Sequence, residues 1–84
     1  MELVYIDAKG EQIRWAVEER QAGVSYRLVD QAGGPTSITV KASENRSVSF
    51  HSFDGFVIEG DDVYCVALLT PDHKVKVGSA PQVV

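Results

Sequence analysis

Along nearly the whole chain, polar and apolar side chains alternate in short runs, and each run stops at a turn former within about 8–12 residues, the spacing of small all-β folds. In "TSITVKA" the apolar positions Ile38, Val40 and Ala42 alternate with Ser37, Thr39 and Lys41, so one face of a strand is apolar and the other polar. "VSYRLVD" repeats the pattern with Val24, Tyr26 and Leu28. No window of helical length carries a 3.6-residue period, so no long helix is expected. With 84 residues the chain is one domain. The expectation is an all-β fold, a small antiparallel barrel or sandwich of SH3/Sm-like size with about seven to eight short strands. Closure is favoured because it leaves few bare edges.

Two hairpins can be given a register from pattern alone. In "VYIDAKGEQIRWAV" a two-residue Lys9-Gly10 turn sets Ile6 against Ile13 and Val4 against Trp15, with Asp7 diagonal to Arg14 on the other face. In "SFHSFDGFVI" a three-residue Phe53-Asp54-Gly55 loop, with Gly55 in the left-handed region, pairs Phe50 with Ile58. Val48, Phe50, Phe56 and Ile58 then share one buried face, and His51 falls on the opposite one. The following "VYCVALL" is apolar on both faces and reads as a central strand, which makes Cys65 a core thiol. The tail, residues 78–84, has few groups to anchor it and is expected to fray.

Composition narrows the function. A 44% hydrophobic content argues against disorder, and a chain this small gains from an oligomer or a partner. A single cysteine forms no internal disulfide, which fits a reducing compartment. "MELVYIDAKGE" has no basic stretch followed by an apolar one, and no apolar run reaches the roughly 18 residues of a membrane span. A cytoplasmic location is the expectation. Net charge is −4 and unevenly spread: residues 1–46 hold six bases and seven acids, residues 47–73 hold five acids and no Lys or Arg, and residues 74–84 add two lysines. The sign disfavours nucleic acid and anionic membrane as partners.

Residues 49–65 concentrate a histidine, four acids and the cysteine, but no catalytic or metal pattern emerges. His51 and His73 with Cys65 match no zinc spacing, and Asp54, Glu59, Asp61 and Asp62 do not follow a calcium-loop pattern. Ser49, His51, Ser52 and Asp54 lie close in sequence, yet neighbours on a strand point to opposite faces and no nucleophile elbow is present. No metal, cofactor or catalytic residue is expected.

The acids are better explained by a partner. Carboxylates without a nearby base repel one another, and a basic surface would relieve that repulsion. The candidate partner-binding residues are Phe53, Asp54, Glu59, Asp61, Asp62 and Asp72, with Phe53 as an aromatic anchor among acids. The expected function is a non-enzymatic protein-interaction module or inhibitor facing a basic protein. Phage-type antagonists of defence nucleases are one class of small acidic inhibitor.

"SITVKASENRSVSFHSFDGFVI" resembles the first Sm motif of Hfq-type RNA-binding proteins, chiefly in "SFDGFVI" and the Ser37-Ile38 start. The chain differs at Val48, where that motif carries glycine, and lacks the second-motif Tyr-Lys-His segment. The resemblance implies a small barrel. It also supplies the second functional expectation, an Sm/SH3-like RNA- or ligand-binding oligomer with Tyr5, Trp15, Tyr26 and Tyr64 as stacking candidates. Buried aromatics would favour the first expectation and a solvent-facing aromatic row the second.

Overall fold

The computed structural model describes residues 1–29, 38–43, 45–50, 53–67 and 74–84. The described residues form eight strands: β1 (Glu2–Ile6), β2 (Gln12–Gln21), β3 (Ser25–Leu28), β4 (Ile38–Ser43), β5 (Arg46–Phe50), β6 (Phe53–Glu59), β7 (Asp62–Ala67) and β8 (Lys74–Val83). Six of them close an antiparallel barrel in the order β1-β2-β3-β6-β7-β8. β4 and β5 pair only with each other among the described residues, as a hairpin between β3 and β6 that lies beside β8. The all-β class read from the alternation is therefore the fold, and of barrel and sandwich it is the barrel.

Alternation also places the core. Leu3 and Tyr5 of β1, Val17 of β2, Tyr26 of β3, Phe56 of β6, Val63 and Cys65 of β7, and Val77 of β8 form one buried cluster. Burying an apolar side chain of this size stabilises by about 1.5–3 kcal/mol, and no disulfide assists. The aromatic centre is tilted rather than stacked. Phe56 has its ring centroid 6.2 Å from Tyr5 and 5.8 Å from Trp15. Trp15 Nε1 donates a 2.9 Å hydrogen bond to the Tyr5 hydroxyl, which satisfies both polar tips inside an apolar setting.

The first hairpin is shifted by one residue from the expected register. Tyr5 pairs with Ile13 and Leu3 with Trp15, so Ile6 and Val4 point to the opposite face, where Val4 is nonetheless buried. Asp7 causes the shift. Its backbone N–H donates to the Glu11 carbonyl, the Gly10 N–H donates to the Asp7 carbonyl, and Gly10 takes φ 82°. This makes a three-residue loop of Ala8, Lys9 and Gly10, not a two-residue one, and a single-residue change flips every side chain to the other face.

The "SFHSFDGFVI" hairpin is not formed as expected. β5 pairs with β4 (Ile38↔Phe50, Val40↔Val48), while β6 pairs with β3 (Tyr26↔Phe56) and β7 (Phe56↔Cys65, Ile58↔Val63). Phe53, Asp54 and Gly55 belong to strand β6, and Gly55 does not take a positive φ. Gly55 is there for closeness: a Cβ at this position would run into the Tyr26 carbonyl oxygen. Residues 78–83 form the second half of β8 and close the barrel on β1 (Leu3↔Val83, Val4↔Gln82, Ile6↔Ser79), with Glu2 and Val84 exchanging backbone hydrogen bonds beyond them.

Candidate functional site: the β6–β7 hairpin and its flank on β8

Glu59, Asp61 and Asp62 gather at the tip of the β6–β7 hairpin. Glu59 and Asp62 form its last pair, and Gly60-Asp61 is a two-residue turn. Gly60 has φ 61°, at the position where a type II′ turn favours glycine. Asp61 is exposed at the apex. Its backbone carbonyl accepts a 2.9 Å hydrogen bond from Ala80 N–H, which ties the tip to β8.

The expected lack of counter-charge holds in sequence but not in space. Lys74 of β8 pairs with Glu59, and Lys76 Nζ lies 3.1 Å from Asp62 Oδ1. The Lys74 ammonium also sits 5.0 Å from the centre of the Tyr64 ring. Both ion pairs are exposed, so each adds little stability. Their effect is to order Glu59 and Asp62 along one face. Asp61 has no side-chain partner among the described residues.

The other expected site residues lie elsewhere. Phe53 and Asp54 are at the opposite end of β6 from Glu59, with Phe53 paired to Ala67. Asp72, His51 and His73 lie outside the described residues. Among the described residues, no group of three or more His, Cys, Asp or Glu side chains is placed to hold a metal ion. No helix among them is long and apolar enough to cross a membrane.

The proposed stacking aromatics mostly face inward. Tyr5 and Tyr26 are each 2% exposed. Trp15 and Tyr64 are half-buried, the first bonded to Tyr5 and the second beneath Lys74. Burial pushes the Tyr5 hydroxyl up to about 12 despite the opposing hydrogen bond from Trp15. Tyr26 is raised as well, by burial first and then by the neighbouring Glu19 carboxylate. Cys65 is buried as expected from its strand, and burial lifts its thiol to about 12.

Sequence reasoning overlooked one buried acid, Asp7, only 8% exposed. Its Oδ1 accepts 2.9 Å hydrogen bonds from Lys9 N–H and Glu11 N–H. The signal was present in "DAKG", where an aspartate opens a turn that glycine closes. It also lines the groove between the end of β1 and β8. Comparison of the chain with protein-family models, curated proteins and solved structures found no match.

Proposed function

We propose that this protein is a non-enzymatic interaction module that docks its β6–β7 hairpin on a basic protein surface. The observation that carries the reading is the hairpin tip. An exposed Asp61, with no side-chain partner among the described residues, stands at its apex between two carboxylates already ordered by Lys74 and Lys76. A partner's basic groups can engage Asp61 directly and compete for Glu59, whose exposed ion pair with Lys74 costs little to exchange. The inward aromatics support this over base stacking, because Tyr5 and Tyr26 present no face to a nucleobase. Binding of this kind suits an inhibitor of a protein with a basic working face, and a phage-type anti-defence protein is one such case.

The test uses two baits side by side on one cell lysate, the natural chain and Asp61→Lys/Asp62→Lys. The expected outcome is a basic protein held by the first bait and depleted at least about tenfold on the second, as for loss of about 1.4 kcal/mol of charge attraction. Equal recovery by both baits would remove the hairpin from the interface.

A further inference from the structure

We infer that the groove between the end of β1 and β8 is a receptor for one arginine side chain of the partner. This deepens the docking reading above and rests on it. The groove holds about 230 Å³ and is lined by Ile6, Asp7, Ala8, Lys76, Val77 and Ser79, with Gly78 beside them. That is below the roughly 300–1,000 Å³ of small-molecule sites and suits a single side chain.

Three features select a guanidinium. The first is Asp7, nine-tenths buried, whose Oδ1 is used by the turn while Oδ2 has no partner among the described residues. No fully buried side-chain polar atom of those residues lacks a hydrogen bond, so Oδ2 is the part of Asp7 still open to a ligand. The second is the apolar wall of Ile6, Ala8 and Val77, which matches the aliphatic stem of an arginine. The third is a second acceptor. Ser79 lines the same groove, and the several donors of a planar fork suit a carboxylate and a hydroxyl together better than one ammonium does. Lys76 does not oppose this, because Asp62 engages its charge.

The groove adjoins the acidic tip. Ser79 pairs with Asp62 on one side and Ile6 on the other, and the next residue, Ala80, is bonded to Asp61. One basic surface can therefore meet the tip and place an arginine in the groove.

The experiment needs no partner, so it can fail while hairpin docking stands. N-acetyl-arginine methylamide is titrated into the labelled protein, and backbone amide shifts are followed by NMR. The expected result is saturable change at residues 6–8 and 77–79 with millimolar affinity. Asp7→Asn keeps the Oδ1 acceptor for the turn but removes the charge, and should bind about tenfold more weakly, the loss of a charge-assisted hydrogen bond. Should Asp7→Asn not fold, Ala8→Phe, which fills the groove from an exposed turn position, must abolish the response instead. The inference is overturned if those amides do not respond, or if Asp7→Asn binds equally well. It is overturned also if the citrulline or glutamate analogue binds as tightly as arginine, since the groove would then not read a cation.

Discussion

Ala80 takes φ 52°, a left-handed conformation that crowds the Cβ of any L residue, and does so just before Pro81. It stands at the β8 irregularity, where pairing with β1 slips between Ile6↔Ser79 and Val4↔Gln82, and its N–H anchors the hairpin tip. Ala80→Gly should therefore raise stability by about 1 kcal/mol, read as a higher urea midpoint at unchanged slope. A lowered midpoint would show that the conformation is not strained. Burial gives a second residue-scale prediction. Tyr5 and Cys65 stay protonated in the fold up to about 12, whereas the unfolded chain releases these protons near 10 and 9. Above pH 9 the unfolded state binds fewer protons, so stability must fall as pH rises towards 12. Cys65→Ala should make that decline shallower, and equal slopes in both proteins would contradict it. The inward position of Cys65 was legible because "VYCVALL" is apolar on both faces, the mark of a central strand. The role of Asp7 was harder to read, because an aspartate before glycine signals a turn without saying which register the turn will set.

Gly55 shows how a local signal can be overruled at the scale of the element. Asp54-Gly55 between alternating apolar runs is a strong hairpin signature, and by itself it would turn the chain there. The barrel instead uses the missing side chain to bring β6 against β3, where the Tyr26 carbonyl occupies the space a Cβ would need. Gly55→Ala should cost about 1–3 kcal/mol, the range for forcing extra volume into a packed site. Thermal unfolding would measure it, and a neutral result would mean that β3 and β6 are farther apart. Most strands could be read from period two alone. Pairing partners could not, since "SVSF" and "FVI" alternate equally well against each other or against other strands. Only closure of the ring decides that β6 joins β3 and β7 while β5 joins β4.

For the whole molecule, closure brings together residues that the sequence keeps apart. The C-terminal segment that carries Lys74 and Lys76 returns as β8 beside β7, which supplies bases to an acidic segment that has none of its own. Composition by segment could therefore identify the acids but not their neutralisation, and Asp61 remains as the exposed acid at the apex. The account rests on attraction between this tip and a basic partner, which acts mainly on the rate of encounter and is screened by salt. The most direct measurement is the association rate of the captured partner at two ionic strengths, for the natural chain and for Asp61→Lys/Asp62→Lys. The account predicts a rate that falls steeply with salt for the natural chain, and a slower, nearly salt-independent rate for the variant. Equal association rates for the two proteins, unaffected by salt, would contradict it.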